Sequence, residues 1–334
     1  MDGVTGSAMD PVVEAAVEGD ETAFAALVER HRRELQVHCY RMLGSYDEAE
    51  DMVQETFLRA WRRRETYAGR STFRAWLYRI ATNACLDQLE RDPRRPVPVA
   101  GAPGRSEVPW LSPFPDRLLD QVAPEVDEPA AVVVARETIE LAFLVAVQHL
   151  PPRQRAVLML RDVLGWPASE TAELLGWSVA SVNSAVQRAR ATLREHLPER
   201  RAEWTSPGPT EEERAVLEQF VAACEKPDTA ALGALLREDA IFTMPPEPGW
   251  FQGRDVIMAA WGPAMVGPEA IGEFRLVPVA ANRQLAAANY IRPPGTREFE
   301  ALSVDVLRIE DGVIAEVTTF GPDKFPLFGL PAVL

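Results

Sequence analysis

The sequence predicts a multidomain protein, two all-α modules followed by a C-terminal α+β domain. Three observations predict it. Apolar residues recur at helical spacing over 12–91 and again over 136–201. Nine prolines between residues 92 and 135 separate these two stretches. From residue 210 onward, helical patterns give way to five runs of strand-forming residues, an order that suits helices packed on an antiparallel sheet. A chain of 334 residues accommodates this, at roughly 100–200 residues per domain.

The elements follow in order. In the first module SYDE (45–48) places a hydroxyl three residues before a carboxylate, a capping box that starts a helix. Behind it Ala49, Met52, Val53, Phe57, Ala60 and Trp61 share one helical face, while Asp51, Gln54, Glu55 and Leu58 lie off it. The polar loop YAGRST (67–72) precedes a helix over 73–90, with Trp76, Leu77, Ile80, Ala84 and Leu86 as its apolar positions. The second module opens with an apolar helix over 138–149, which LPP (150–152) stops before a helix over 153–163. Helices over 167–175 and 179–197 flank the tight turn GWS (176–178), and Val182, Val186, Ala189 and Leu193 point inward from the second. Two helices across a glycine-containing three-residue turn, the second rich in arginine, form a helix-turn-helix arrangement. A plain helical hairpin fits the same pattern. In the last segment TEEE (210–213) is a second capping box and starts a helix over 211–224. A short helix over 229–237 follows, then strands over 240–244, 274–280, 284–291, 299–309 and 313–320, with Asp311 and Gly312 turning the last hairpin.

Composition narrows the function. The start of the chain, MDGVTGSAMDP, lacks a basic stretch and an apolar core, so a secretory signal is not expected. The wholly apolar run LAFLVAV (141–147) is far short of the ~20 residues of a membrane span. Three scattered cysteines, Cys39, Cys85 and Cys224, suit a reducing cytoplasm and argue against a disulfide framework or a zinc site. The net charge of −15 argues against a general nucleic-acid coat. The charge is uneven, however. Residues 59–79 carry seven arginines against one acid, and 151–201 carry eight against five, whereas 205–334 is net −9. Every strong cation before residue 205 is arginine, which gives planar, bidentate contacts to phosphates and base edges; a GC-rich coding sequence produces the same bias.

These residues offer three chemistries. A recognition helix presents Asn, Gln and Arg to base edges and Ser and Arg to phosphates. Charges along 47–64 match the helix dipole, acids first and bases last, but Asp51, Gln54 and Glu55 beside the apolar stripe also suit docking on a basic partner. Tyr67, Phe73, Trp76 and Tyr78 interleave with arginines, the combination that stacks and neutralises single-stranded bases. Phe73 and Trp76 also read as core, Trp76 at least in part.

DEAEDMVQETFLRAWRR (47–63), followed by FRAWLYRIATNACLD (73–87), resembles region 2 of the extracytoplasmic-function sigma factors, group 4 of the sigma-70 family. LPPRQRAVLMLRDVLGWPASETAELLGWSVASVNSAVQRARATLREHL (150–197) resembles their region 4. The resemblance implies region 2 over 12–91, a linker over 92–135 and region 4 over 136–201. It implies a transcription-initiation factor that binds core RNA polymerase through the β′ clamp helices and the β flap, and that reads promoter DNA in the cytoplasm. Asp51, Gln54 and Glu55 then grip the clamp helices. Arg70, Ser71, Thr72 and Arg74 lie in or beside the loop that receives a flipped base of the −10 element, with Arg79 and Asn83 on the helix beneath. Ser181, Asn183, Ser184, Gln187, Arg188 and Arg190 read the −35 major groove. Many relatives have an arginine where this chain has Ala185, so one −35 contact is expected to be missing. The 44-residue linker, extended, reaches roughly 145 Å, several turns of DNA at about 34 Å each.

The linker stretch WLSPFPDRLLD (110–120) and the segment EDAIFTMPPEPGWFQGRDVIMAAW (238–261) resemble the long sigma factors with a SnoaL-like extension, a cone-shaped fold like that of nuclear transport factor 2. This places the extension over 210–330. The Asp-Gly-Gly-Gly motif of one branch of such factors is absent, so that branch's control mechanism does not carry over. The acidic extension is expected to contact the arginine-rich sigma regions of its own chain, as an attached substitute for a separate anti-sigma protein; the opposite sign, an extension required for activity, stays open. The same cone serves isomerases and cyclases. As carboxylate bases it offers Asp239, Glu247, Asp255, Asp305 and Glu316, with Tyr290 as a hydrogen-bonding partner, although surface or turn roles fit each of them better. Trp250, Phe251, Trp261 and Phe274 line a pocket or fill a core, and a small ligand in the cone stays open. No cofactor, metal or enzymatic activity is expected. The competing readings are an enzyme with a helix-turn-helix attached and a repressor working without polymerase, the latter opposed by the acidic helix of region 2.

Overall fold

A computed structural model describes residues 10–69, 71–91, 108–120, 139–197, 209–247 and 249–334. Four helices come first, α1 (Pro11–Glu18), α2 (Glu21–Leu43), α3 (Tyr46–Arg62) and α4 (Phe73–Arg91). The short α5 (Asp116–Leu119) and α6 (Leu141–Gln148) precede α7 (Pro152–Leu158), α8 (Ala168–Leu175) and α9 (Val179–His196). The C-terminal part holds α10 (Glu211–Glu225), α11 (Thr229–Leu235), α12 (Arg254–Met265) and α13 (Phe325–Phe328). Its strands are β1 (Leu236–Thr243), β2 (Trp250–Gln252), β3 (Glu273–Ala281), β4 (Gln284–Arg292), β5 (Glu300–Glu310) and β6 (Val313–Phe320). These residues fall into two compact units, Met1–Pro96 with Leu150–Leu193 and Val97–His149 with Arg194–Leu334. In this grouping α6 falls with the linker residues and the C-terminal strands.

In the first unit the helix ends are set by side-chain caps and by glycine. Asp10 and Asp20 accept from the first-turn amides of α1 and α2, and Gly19 and Gly44 close those helices at φ of +106° and +74°, which glycine adopts without a Cβ clash. The stripe on α3 is buried as its spacing predicts at Ala49, Val53, Phe57 and Ala60, while Met52 and Trp61 are half-buried. α3 packs on α2 and α4, where Leu35, Tyr40, Leu43, Leu77, Ala81 and Ala84 are buried too. The helix predicted over 153–163 is α up to Leu158 and then a π turn over Met159–Val163. α7 packs on α2 and α4, and the buried Arg155 donates to the Met42 carbonyl at the end of α2 and to the Leu150 carbonyl.

In the second unit the six strands are ordered β2-β1-β6-β5-β4-β3, with β1 and β6 parallel and the other neighbours antiparallel. α10 lies across β3, β4 and β5. Phe220 of α10, Phe242, Leu276, Ala287, Leu307 and Val317 form one core beneath it. The α10 capping box is present in both directions, Thr210 Oγ accepting from the Glu213 amide and Glu213 accepting from the Thr210 amide. The chain differs from expectation in four places. β1 starts at Leu236, four residues early, directly after α11. α6 starts at Leu141 rather than at residue 138. α12 has Gly253 at its N-cap and Pro263 inside it, so neither capping nor propensity announces it. The three-residue β2 is a strand only through its pairing with β1.

Candidate functional site

On α3 the exposed Asp51 and Gln54 and the half-exposed Glu55 stand opposite the buried stripe. With Met52, Leu58, Arg59, Ala84, Gln88 and Arg91 they line a cleft of about 400 Å³ between α3 and α4. Leu58 is 50 % exposed there, an apolar side chain amid polar neighbours. Arg59 stiffens the wall by donating to Glu55 at 2.6 Å and to Asp87 at 2.7 Å. The result is an apolar tip inside a rim of two acids, two amides and two arginines.

The loop before α4 is shaped by aromatic packing. Tyr67 meets Phe73 and Trp76 at ring-centroid distances of 5.5 Å, and its hydroxyl donates to the Ser71 carbonyl at 2.8 Å. Phe73 is buried and Trp76 half-buried, so both core expectations hold. Thr72 caps α4 by accepting from the Ala75 amide at 3.1 Å. Ser71, Thr72 and Asn83 are exposed. Arg70 lies outside the described residues. Arg74 turns inward, donating to Glu34 at 2.6 Å over the face of the Tyr78 ring. Burial works to raise the Glu34 carboxyl, but the His31 hydrogen bond and the charge of Arg74 outweigh it and hold the group below its ordinary range. Beneath this layer His38 lies 2.9 Å from the Thr82 hydroxyl, and burial, aided by the charges of Arg41 and Arg74, pushes it down to about 3. It is therefore a neutral structural group at physiological pH. Arg79 pairs at 3.1 Å with Glu173 of α8. That partner lies 94 residues away, and no local pattern announces it.

The predicted helix-turn-helix is present. Gly176 turns the chain at φ +66° between α8 and α9, and Ser178 accepts from the Ser181 amide at 3.1 Å where α9 starts. Val182, Ala185, Val186, Ala189 and Leu193 are buried. Ser181, Asn183, Ser184, Gln187, Arg188 and Arg190 are all exposed. Ser181, Ser184 and Arg188 follow one helical row, and Asn183, Gln187 and Arg190 the next. Arg190 is held by Asp162 through two bonds of 2.8 Å. Ala185 is fully buried among these positions and offers no group to the outer face of α9.

In the C-terminal domain the proposed carboxylates scatter. Asp239 pairs with Arg237, Glu316 with Arg308 at 3.0 Å, and Glu247 and Asp255 are exposed. Asp305 alone among these candidates is buried on the core face, where Asn289 donates to it at 2.6 Å, Thr319 at 2.6 Å and Ser303 at 3.3 Å. Burial raises its pKa, partly offset by those three donors. Tyr290 is not its partner. Its hydroxyl donates to the Pro331 carbonyl at 2.9 Å and its ring packs edge-on against Phe325, on the opposite face of the sheet. Phe251, Trp261 and Phe274 pack against the apolar core.

Three family descriptions match in succession, Sigma-70 region 2 over residues 27–95, Sigma-70 region 4 over 140–193 and the SnoaL-like domain over 217–317. The chain is 42% identical over 326 residues to the ECF RNA polymerase sigma factor SigG of Mycobacterium tuberculosis, covering 92% of this chain and 84% of the relative. It is 32% identical over 182 residues to the ECF RNA polymerase sigma factor SigW of Bacillus subtilis, covering 54% of this chain and 91% of that one. The crystal structure of the extracytoplasmic-function sigma factor SigJ of Mycobacterium tuberculosis superposes with a TM-score of 0.62 at 24% identity, covering 92% of this chain and 99% of that one, a likeness of fold.

Proposed function

Since this chain belongs to the extracytoplasmic-function RNA polymerase sigma factors and ends in a SnoaL-like domain, we propose how its surfaces divide the work of initiation. As a sigma factor it binds core RNA polymerase and directs initiation at specific promoters. Asp51, Gln54 and Glu55, around Leu58, dock on the clamp helices of the β′ subunit. Ser71, Thr72 and Asn83, with Arg70, contact the −10 element, and Arg74 positions that loop through Glu34. Arg79 joins them once it exchanges Glu173 for DNA. Ser181, Asn183, Ser184, Gln187 and Arg188 enter the −35 major groove, with Arg190 braced by Asp162.

The observation that carries this reading is the α9 surface, where amide, hydroxyl and guanidinium side chains cover the face opposite the buried stripe. The place of work is the cell interior, with the polymerase; among the described residues no helix is long and apolar enough to cross a membrane. The C-terminal domain acts as a built-in regulator in place of a separate anti-sigma factor, restraining the sigma regions through the linker. Its net charge of −9 over 205–334 and its packing with linker residues in one unit support this. Its work is not catalytic. Both Asp305 oxygens already accept from the protein's own donors, and apolar side chains fill the core beside it.

Run-off transcription with core polymerase tests the assignment. Initiation from a cognate promoter is expected with the intact chain, and Asn183→Ala with Arg188→Ala is expected to abolish its dependence on the −35 sequence. Unchanged promoter choice in that double variant would remove α9 as the reader. Truncation at residue 204, with helical content checked by circular dichroism, is expected to raise transcription; an unchanged level would remove the regulator.

A further inference from the structure

Away from its core, the C-terminal domain holds other parts of the chain at the turn between β3 and β4. Asn282 and Arg283 of the turn and Gln284, which opens β4, each hold a different part of the chain between α4 and α7. Asn282 and Arg283 sit at φ of +57° and +58°, the left-handed conformation of a tight hairpin turn. Asn282 is fully buried, unusual for a hairpin tip. Its Oδ1 accepts from the Phe114 amide at 2.8 Å, its own amide donates to the Phe114 carbonyl at 2.9 Å, and its Nδ2 donates to the Ile139 carbonyl at 2.7 Å. The Arg283 amide donates to Asp116 at 2.9 Å, and its guanidinium reaches Asp120 at 2.7 Å. Gln284 Oε1 accepts from the Leu141 amide at 2.9 Å, while its Nε2 donates to the Leu307 carbonyl of β5 at 3.3 Å. A second anchor lies nearby in sequence, where Arg117 donates twice to the Leu327 carbonyl, at 2.6 and 3.0 Å.

Backbone groups of this chain segment are thus satisfied by side chains at a buried hairpin turn. That is how a strap is bound. Merely touching surfaces bring side chains together, whereas here the turn supplies the partners that a helix or strand would otherwise give. The geometry also acts on reach. Phe114 and Ile139 bond to the same amide group, so the 24 residues between them add nothing to the span between the sigma regions. Fully extended, the 44 residues of 92–135 would span roughly 145 Å, whereas with both points pinned the tether ahead of Val108 is 16 residues, roughly 55 Å.

Resting on the regulator reading above, we propose that the turn Asn282-Arg283-Gln284 is a clasp for the linker, and that its release lets the linker extend between the two promoter-reading regions. The partner it recognises is the chain between α4 and α7 itself, held by its backbone at the proline-flanked Phe114, at Ile139 and at Leu141, the first residue of α6, and by the acids Asp116 and Asp120 of and beside α5. The clasp and an extended path through the holoenzyme compete for the same residues. Opening it costs several buried hydrogen bonds, which polymerase contacts with the freed linker must replace.

Asn282→Gly is the sharp test, since glycine adopts the same positive φ and the turn keeps its shape while the amide is lost. In the full-length chain, hydrogen exchange at the Phe114 amide is expected to speed up at least tenfold, and exchange over 139–141 to follow. Run-off transcription by the full-length chain with core polymerase is expected to rise several-fold. Arg117→Ala, at the exposed anchor, is expected to move both readouts the same way by less, with an unchanged melting temperature, and so separates release from misfolding. Unchanged exchange in both variants would overturn the clasp as the holder of the linker. Faster exchange with unchanged transcription would overturn it as a regulator. If truncation at residue 204 alters transcription while Asn282→Gly does not, the regulatory domain stands and the clasp alone falls; if neither alters it, the regulator reading fails as well.

Discussion

The outer face of α9 and the β3–β4 turn are built from the same kinds of side chain and do opposite things. Asn183, Gln187 and Arg188 stand exposed on a rigid helix, whereas Asn282, Arg283 and Gln284 are turned onto the chain's own linker. Amides and guanidinium groups recognise nucleic acid when a helix holds them out from a packed face. The same groups at a hairpin tip, with linker carbonyls and amides within 3 Å, become structural. Residue type alone does not decide between these fates; the burial of the backbone around the group does. Arg79 and Arg190 lie between the two cases, exposed enough to meet DNA yet paired with Glu173 and Asp162 of the helix-turn-helix module.

The largest expected effect falls on the exposed side of this comparison. Asp51→Arg with Glu55→Arg turns the two acids of the α3 rim into cations, and affinity for core polymerase should fall more than a hundredfold in a pull-down titration while the melting temperature stays put. Next, Arg188→Ala should weaken holoenzyme binding to the −35 element by roughly five- to a hundredfold, the value of one good base contact at about 1–3 kcal/mol. Gel-shift titration at fixed salt measures it, and a uniform loss on all sequences would make Arg188 a phosphate contact instead.

Smaller effects sharpen the buried side. Burial, opposed by the Arg283 amide and guanidinium, raises Asp116 to about 6 from its ordinary 3.8. The docked linker therefore favours the protonated acid. Its extra stability is complete below about pH 4 and is lost as pH rises through 6, with no further change from this group above that. Hydrogen exchange over 116–120 should accordingly quicken between pH 4 and 6 after correction for intrinsic rates, and Asp116→Asn should flatten the profile. The smallest effect concerns Asp305, whose carboxyl burial also raises. Asp305→Asn removes the cost of a buried charge and keeps the shape, so the thermal midpoint at pH 7 should stay level or rise slightly. A large fall would show that the ionised carboxylate, with its three donors, holds the sheet together.

Much of this was legible in the chain. The capping residues Ser45 and Thr210, the stripe on α3 and the alternating buried positions of α9 follow local rules, and the structure follows them. The exposed residues of α9 were legible because helical periodicity sorts inward from outward. The same periodicity places Ala185 inward, between Val182 and Ala189. What stayed hidden depends on distant partners. The strands over 274–280 and 284–291 leave room for a turn, and Asn282 suits one. Nothing near it in sequence announces Phe114 or Ile139, 168 and 143 residues away. The pairing of Arg79 with Glu173 and the short strand β2 were hidden for the same reason.

The most direct test is a footprint on a cognate promoter at fixed salt, made with the free chain and again with the chain on core polymerase. The free chain holds Arg79 against Glu173 and its linker against the β3–β4 turn, so it should protect neither element, while the holoenzyme should protect the −35 and −10 elements together. Protection of both elements by the free chain, or of neither by the holoenzyme, would contradict a pair of readers that work only when mounted on the polymerase.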